Sequence, residues 1–511
     1  MSQGYPDASA SPQNVGVAGR TCLRRDCLSY AEVLAQSVSV IAPSTVPAAV
    51  LGLIYAKAGN ATWVSLLLGM LGLVLVSCNI NQFARRSASP GSLYSYIAQG
   101  LSPSAGVLGG WALLFGYMLT GMSTLCGFAL LANVLLQQLF GVQLSVITLF
   151  AVGALASFYI AYRDIQFSAK TMLAFEAMAL LFVLVLGALI WAQSYFETGV
   201  VLDRPQLTLQ GSSLGGALSG VVLAVFAFSG FESSTALGAE AKDPLRSIPR
   251  AVLQSVVLAG AFFVVMAYVV VLGFRDVGKP LAEHEAPLTT LAVELGWGAL
   301  GHILNVGILL SFFSCTLASI NSTARILFAM ANHGLISDAI GQAHADNRTP
   351  HVAVALSTLV TFSVPTVLVI LGVGAFDAQG YFGTLCSFGF IVTYILISLA
   401  AARYLWNAGE LTSKALAFSA GGVVFMLLPV IGTIGIPGSE LLPPPDGVGV
   451  VLVAVFALYM TAGVAWLVLQ RMRRPEMIGQ MQSAIENVQR QLRLPEHGLD
   501  TLRADEQHAR W

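Results

Sequence analysis

Charged side chains are scarce in this chain. Aspartate, glutamate, lysine and arginine together make up 10% of its 511 residues, whereas a soluble protein averages roughly 25%. Apolar residues reach 56% and the mean hydropathy is +0.76. This composition excludes an ordinary soluble domain and indicates an integral membrane protein surrounded by a lipid bilayer. The formal net charge is only -1, so the charge balance predicts no nucleic-acid partner.

Cysteine and histidine are also few. The six cysteines are scattered singly and the seven histidines lack the HExxH spacing of a zinc enzyme. Ser229 lies in the sequence FSGF, without the flanking glycines of a G-x-S-x-G nucleophile. We therefore expect no catalytic residue, no metal and no cofactor. An intramembrane enzyme is a distant alternative, and so is a channel, because no continuous polar stripe is visible.

Long apolar runs dominate the rest of the chain. A helix of about 20 apolar residues crosses a bilayer. Windows of that length predict twelve transmembrane helices, near residues 33–57, 62–81, 106–139, 144–161, 171–193, 214–238, 251–273, 300–330, 352–373, 380–402, 415–435 and 448–470. The sequence therefore predicts an all-α integral membrane protein.

The distribution of lysine and arginine predicts its orientation. Most basic residues near the span ends fall on one side of the membrane, and Lys57, Arg204, Arg275 and Lys279 fall on the other. Basic loops stay in the cytoplasm, so we expect both termini there and the protein in the cytoplasmic membrane of a bacterium. The first twenty residues are polar, so we expect no cleavable signal peptide. An apolar repeat from Met477 to Leu492 predicts a helix in the cytosolic tail.

Span one contains an interruption, in SVSVIAPSTVPAAVLGLIYA. Pro43 has no amide and disfavours helix at the residue before it. Pro47 suits the first turn of a new helix, which the preceding Ser-Thr pair could cap. We expect span one to stop near Ile41 and to restart near Val46. A merely kinked helix is the alternative.

Span six contains a second interruption, in VFAFSGFESS. Gly230 weakens the helix, and Glu232 adds a charge that costs roughly 2.5–3.5 kcal/mol at mid-membrane on insertion scales. The interruptions are five spans apart, so a five-span repeat would return with inverted topology. Paired interrupted helices in inverted halves mark a transporter site at the midplane. A glycine that merely lets two helices pack closely is the alternative.

The two interruptions predict two poles for a ligand. Carbonyl groups freed at the end of the first half of span six, near Phe226 to Ser229, can accept an ammonium group. The amides of Ser44, Thr45 and Val46 lie at a helix N-terminus and suit a carboxylate. A zwitterionic amino acid matches this pair of poles.

Three segments carry a resemblance to a known family. They are FSGFESSTALGAEAKDPLRSIPRAV (228–252), SASPGSLYSYIAQGLSPSAGVLGGW (87–111) and NSTARILFAMANHGLIS (321–337). They resemble the amino acid–polyamine–organocation (APC) superfamily, the loop after span six most specifically. The resemblance implies a leucine-transporter-type five-plus-five inverted repeat with discontinuous helices 1 and 6, alternating access, and an amino acid or amine as small-molecule substrate.

The resemblance also implies a division of the chain and a set of site residues. Residues 1–30 would be a cytosolic segment, 31–402 a ten-helix core with repeats of about 31–193 and 214–402, 403–470 transmembrane helices 11 and 12, and 471–511 a cytosolic tail. The substrate-binding residues would be Ile41, Ala42, Pro43, Ser44 and Thr45 in span one, and Phe226, Ala227, Ser229 and Gly230 in span six. Family members often have a glycine-rich break in span one, whereas this chain has Ala-Pro-Ser-Thr.

Two acids inside the spans, Glu232 and Glu176, are candidates for coupling or gating. Protonation relieves the cost of burying a carboxylate. Glu232 lies nearer a break and is favoured, and a structural role is the alternative for both. Hydroxyls of span eight, on Ser314, Thr316 and Ser319, keep sodium coupling open, although bonding to their own helix is the plainer expectation. The sequence thus predicts a secondary amino acid transporter, proton-coupled or an exchanger. A polyamine or organocation transporter and a sodium-coupled symporter are the alternatives.

Overall fold

A computed structural model describes residues 23–483, except for 90, 200, 201, 276, 278, 280, 284, 285, 437, 438, 440–443, 446 and 478. Most of the expected N-terminal cytosolic segment and most of the expected tail helix lie outside the described residues. Within the described part the chain is helical, and its strand-type pairing consists of an isolated bridge between Leu28 and Ala241. This confirms the all-α prediction.

Sixteen α-helices follow one another in the described part of the chain. They are α1 (Tyr30–Ile41), α2 (Leu51–Ala58), α3 (Thr62–Ala84), α4 (Ser92–Gly100), α5 (Pro103–Phe140), α6 (Val146–Arg163), α7 (Ile165–Thr198), α8 (Arg204–Leu207), α9 (Leu214–Ala227), α10 (Pro244–Gly273), α11 (Pro287–Glu294), α12 (Gly298–Asn332), α13 (His351–Ile370), α14 (Ala375–Asn407), α15 (Ser413–Ile434) and α16 (Val448–Arg473).

Ten segments of the described chain are long and apolar enough to cross a membrane, whereas twelve were predicted. The difference has two sources. Residues Tyr30–Ala84 count as one segment, although they contain α1, α2 and α3. Helix α9, which begins the predicted sixth span, has only 14 residues. The multi-pass membrane fold is therefore established, and the count of twelve transmembrane helices stays a prediction.

The long helices differ in how deeply they are buried. Helices α12 and α14 pack against α5 in the centre of the protein. Helix α16 touches α5 through Trp111, whose indole N–H donates to the Tyr459 carbonyl at 3.1 Å. The other faces of α16 are apolar and exposed, with Val451 57% and Leu458 72% exposed. The hydrocarbon interior of a bilayer requires helices whose backbone groups are hydrogen-bonded internally and whose outer side chains are apolar.

Helix α1 ends at Ile41 because the next residues cannot continue it. Ala42 is in the left-handed region, with φ 47°, and Pro43 has no amide for the helix. Thr45 closes this turn by donating from its N–H and its hydroxyl to the Ala42 carbonyl, at 3.0 and 2.7 Å. The helix resumes as a π-helical turn at Val46–Val50 and continues as α2.

Helix α9 ends at Ala227, and the chain resumes as a 3₁₀ turn at Ser233–Leu237. Between them Gly230 has φ +88°, a conformation that residues with a Cβ rarely adopt. A Cβ at this position would also collide with Val40 of α1. Gly230 therefore serves both functions weighed from the sequence, since it interrupts the helix and lets span one approach closely.

Candidate functional site

The two interruptions lie side by side. The Ser233 hydroxyl donates to the Gln36 carbonyl at 3.1 Å, and the Ser234 N–H donates to the Ser37 hydroxyl at 3.0 Å. Together with the close approach of Val40 to Gly230, these bonds hold α1 alongside residues 230–237. The second half of span one, α2, packs against the first half of span six, α9. Each half of span one therefore has a half of span six beside it.

The interruption in span six leaves carbonyl groups without partners. Among the described residues, no hydrogen bond reaches the carbonyl oxygens of Ala227, Phe228 or Ser229. The Gly230 N–H, turned away from the helix, donates to the Tyr394 hydroxyl at 3.1 Å. Carbonyl oxygens at the end of a helix carry partial negative charge and attract a cation. The half-buried Phe226 lies one residue before this group on α9.

The interruption in span one uses an amide within the protein. Pro43 has none, and the Thr45 N–H closes onto Ala42. The Ser44 hydroxyl is buried and has no partner in the described part of the chain. The turn therefore places an unpartnered hydroxyl just before the helix that resumes at Val46.

Glu176 lies on α7. Its exposed fraction is 2%, and the Ser311 hydroxyl of α12 bonds to both carboxyl oxygens, at 2.9 and 3.1 Å. The sequence identified Glu176 as an acid inside a span but not Ser311, because nothing in either apolar run shows that α7 and α12 are neighbours. Both residues are therefore part of the candidate site.

Glu232 lies between two tyrosines that sequence reasoning missed. Tyr117 of α5 donates to one carboxyl oxygen at 2.7 Å, and Tyr394 of α14 donates to the other at 2.5 Å. All three side chains are fully buried. Since Tyr394 also accepts from Gly230, the interruption and the carboxyl share one hydroxyl group. A tyrosine within an apolar run resembles an ordinary packing residue, so no sequence signal marked either of them.

The hydroxyl groups of span eight have different partners. Thr316 donates to the Phe312 carbonyl of its own helix at 3.0 Å, as expected. Ser314 instead donates to Ser39 of α1 at 3.0 Å. The Ser319 hydroxyl is buried and unpartnered within the described residues. Ser314 and Thr316 act as donors in these bonds, so their oxygen lone pairs remain available to a cation.

A buried ion pair lies at the end of the protein that holds residues 23–29, which we call the N-terminal end. Glu240, after span six, and Arg325 of α12 make two bonds, at 2.6 and 2.9 Å, and neither side chain is more than 1% exposed. The Glu240 carbonyl accepts the Leu28 N–H at 3.0 Å. Gln36 of α1 donates to the Ala318 carbonyl of α12 at 2.8 Å. These bonds tie spans one and six to α12.

A second polar cluster lies at the opposite end. Asp203, before α8, pairs with Arg275, after α10, at 2.8 Å. The Gln206 amide donates to Asp203 at 2.8 Å and to the Tyr268 carbonyl at 3.0 Å. The Trp63 indole of α3 donates to the Gln206 carbonyl at 3.2 Å. This cluster ties α3 and α8 to α10.

Comparison with known proteins gives a consistent result. The model of the family described as "Amino acid permease" matches residues 37–438. The branched-chain amino acid permease BcaP of Bacillus subtilis (strain 168) is 22% identical over 362 residues, which are 67% of this chain and 73% of that protein. The low-affinity putrescine importer PlaP of Escherichia coli (strain K12) is 22% identical over 350 residues, 66% of this chain and 72% of that protein.

A solved structure shares the fold. The crystal structure of MhsT in complex with L-phenylalanine matches with a TM-score of 0.55 and 13% sequence identity, covering 86% of this chain and 99% of that one. The similarity at this identity concerns the arrangement of the helices.

Proposed function

Because the chain belongs to the amino acid permease family, we propose that it is a secondary transporter that moves an amino acid across the cytoplasmic membrane by alternating access. The observation that carries the proposal is the pair of adjacent interruptions. One presents the unpaired carbonyls of Ala227, Phe228 and Ser229, and the other begins a new helix at Val46. An ammonium group fits the first and a carboxylate the second.

The proposed binding residues are those that the resemblance implied. They are Ile41, Ala42, Pro43, Ser44 and Thr45 around the first interruption, and Phe226, Ala227, Ser229 and Gly230 around the second. We assign residues 31–402 to a ten-helix transport core with inverted repeats of about 31–193 and 214–402, and residues 403–470 to two further helices. The N-terminal end faces the cytoplasm in this proposal, because the basic residues cluster there.

Coupling to protons, or simple exchange, is proposed in preference to sodium. Two carboxyls, of Glu176 and Glu232, are buried inside the spans, and neutralisation by a proton lowers the cost of keeping a carboxyl buried. Glu232 is assigned to gating, since Tyr117 and Tyr394 connect it to α5 and α14.

A polyamine is the second candidate substrate. The similarity to a protein named as a putrescine importer favours it, and so do two carboxyls buried inside the spans, since either could hold a second ammonium group. The relatives named above are transporters, so an enzyme is not proposed.

Transport by purified protein in liposomes tests the proposal. A radiolabelled panel of the protein amino acids, D-alanine, D-serine and putrescine would be offered with a pH gradient, with a sodium gradient, and with unlabelled substrate inside. We expect saturable uptake of an amino acid that a pH gradient or internal substrate stimulates. Uptake of putrescine alone would favour the second candidate. A strict requirement for sodium would overturn the proposed coupling.

A further inference from the structure

Residues 23–29 lie across the N-terminal end of the protein just before α1 begins, and we call them the N-terminal strap. Three of its side chains, those of Leu23, Cys27 and Leu28, are buried, and none of them is more than 6% exposed. Apolar side chains of a segment outside the transmembrane helices become buried only where the rest of the protein covers them. The strap is therefore held against the body of the protein.

One set of contacts joins the strap to the segment that follows span six. The N–H groups of Cys27 and Leu28 donate to the Glu240 carbonyl at 2.9 and 3.0 Å. In return, the Lys242 N–H donates to the Leu28 carbonyl at 2.8 Å. Because the second half of span six is also bonded along α1, the strap, α1 and that half of span six can move as one unit.

A second set of contacts joins the strap to helices outside this unit. The side-chain amide of Gln166, in the first turn of α7, donates to the Cys27 carbonyl at 2.6 Å. Leu23 packs against Phe328 of α12 and against Ala343, which lies between α12 and α13. The strap thus connects the unit that contains α1 to α7 and α12.

An exposed ion pair adds to the second set. Arg24 pairs with Asp164, the residue before α7, at 3.0 Å, and the two side chains are 44% and 32% exposed. A pair so exposed contributes little, because water and salt screen it. The hydrogen bond from Gln166 and the burial of Leu23 therefore provide most of the attachment to α7 and α12.

The junction between the strap and α1 leaves no slack. Helix α1 begins at Tyr30, directly after Ser29. The N–H and the hydroxyl of Ser29 donate to the Glu32 carboxyl at 2.7 and 2.8 Å, and bonds of this kind fix the direction in which a chain enters a helix. A tilt of α1 relative to α12 therefore moves the strap as well.

Building on the alternating access proposed above, we propose that the N-terminal strap is a latch that holds this end of the protein closed. Opening toward the cytoplasm separates the strap from α7 and α12, while its bonds to the segment after span six persist. The contacts of Gln166 and Leu23 are then present in one state and absent in the other, as bonds across a moving interface must be.

Thiol labelling measures opening at this end. Ser322 of α12 is fully buried, and its hydroxyl accepts the Gln36 amide of α1 at 3.0 Å. In Ser322→Cys, the thiol should become reactive only when α1 leaves α12. The full-length variant would be treated with a water-soluble maleimide in detergent without substrate, and peptide mass spectrometry would identify the modified residue.

The contacts of the strap predict a graded effect, because labelling of a rarely open site follows the equilibrium constant for opening. Leu23→Ala removes buried apolar contacts and should raise the labelling rate by about tenfold or more. Gln166→Ala removes one hydrogen bond and should raise it about fivefold. Arg24→Ala removes only the exposed ion pair, so about twofold is expected. Gln342→Ala, at an exposed position of the same end, is the matched control and should change nothing.

Cys126 of α5 is fully buried and reports general loosening of the protein. It should stay unreactive in every variant, and a parallel rise at Cys126 and at position 322 would overturn the specific role of the strap. Unchanged labelling at position 322 in both Leu23→Ala and Gln166→Ala would also overturn it, since the strap would then be a permanent anchor.

A covalent lock tests the same contacts in the opposite direction. In the double variant Arg24→Cys with Asp164→Cys, a short bifunctional thiol reagent that a reductant can cleave would hold the strap to the start of α7. We expect uptake of the preferred amino acid into liposomes to stop and to return on reduction. The single variant Arg24→Cys, treated in the same way, should keep its uptake. Undiminished uptake by the locked protein would overturn the proposal.

The two tests separate the latch from the function on which it rests. Labelling needs no substrate, so an unchanged rate would overturn the latch and leave amino acid transport standing. A graded rise in labelling without uptake of any compound in the panel would support the latch and overturn the proposed substrate class.

Discussion

The two ends of the protein are held by polar clusters of similar size but different connectivity. Helices α1, α2, α3, α9 and α10 pack together around the interruptions, and α5, α12, α13 and α14 pack as a second group. At the N-terminal end, the bonds cross between the groups, as in the pair of Glu240 with Arg325. At the opposite end, the pair of Asp203 with Arg275 joins α10 to the turn before α8, and Trp63 of α3 bonds to the same turn.

The difference indicates which contacts have to break during transport. Alternating access requires the two groups to move relative to one another, so that bonds crossing between them are made in one state and lost in another. Bonds within a group can persist throughout the cycle. The N-terminal cluster is therefore expected to control the equilibrium between states, and the opposite cluster to keep its group rigid.

The largest effect is expected between the two ends, at Gly230. In Gly230→Leu the new side chain would meet Val40 and would require a strained backbone at φ +88°. We expect complete loss of substrate binding in a protein that still inserts, measured by ligand binding in detergent. The matched control is Gly380→Leu, since a Cβ at Gly380 meets nothing within 4 Å. Wild-type affinity in Gly230→Leu would show that the interruption is not part of the site.

The N-terminal ion pair is expected to give the next largest effect. Arg325→Met leaves Glu240 buried without a partner, which costs about 3–5 kcal/mol. The thermal unfolding temperature in detergent should fall accordingly. The double variant with Glu240→Leu should recover most of the loss, because no uncompensated charge then remains. A double variant no more stable than Arg325→Met would contradict this explanation.

The cluster at the opposite end should respond less. Arg275 is 31% exposed as a side chain, and the Gln206 amide still donates to the buried Asp203 in its absence, so Arg275→Gln should cost about 1–3 kcal/mol, less than the loss of Arg325. The transport rate in liposomes should remain close to that of the wild type, because the bond does not cross between the groups. A large loss of rate at unchanged stability would show that this end also takes part in gating.

The smallest effect is expected from cysteine substitutions that label the two ends of the protein without disturbing its structure. Lys242 and Gln210 are exposed at the N-terminal and opposite ends, whereas Ser247, in the first turn of α10, is 6% exposed and would react poorly from either side. A cysteine replacing Lys242 should resist a membrane-impermeant thiol reagent added outside intact cells. A cysteine replacing Gln210 should react, each in a background without accessible cysteines. The reverse pattern would invert the proposed orientation.

The sequence alone indicated the class of protein and predicted where two of its helices are interrupted. Scarce charge and long apolar runs leave a membrane protein as the only stable arrangement, since unpaired backbone groups are too costly in hydrocarbon. Pro43 and Gly230 act on the backbone of their own segment, so their effects could be predicted without knowing any neighbour. The family resemblance of the loop after span six was confirmed by the match over residues 37–438.

Only the tertiary structure decided which side chains meet at those interruptions. Tyr117 and Tyr394 reach Glu232 across separations of 115 and 162 residues, and Ser311 reaches Glu176 across 135. Inside a membrane nearly every face of a helix is apolar, so the sequence pattern carries little information about which helices are neighbours. The preference for Glu232 over Glu176 rested on distance along the chain. The hydrogen bonds of the folded protein, which depend on distance in space, show which side chains surround each acid, and the preference between the two acids stays a prediction.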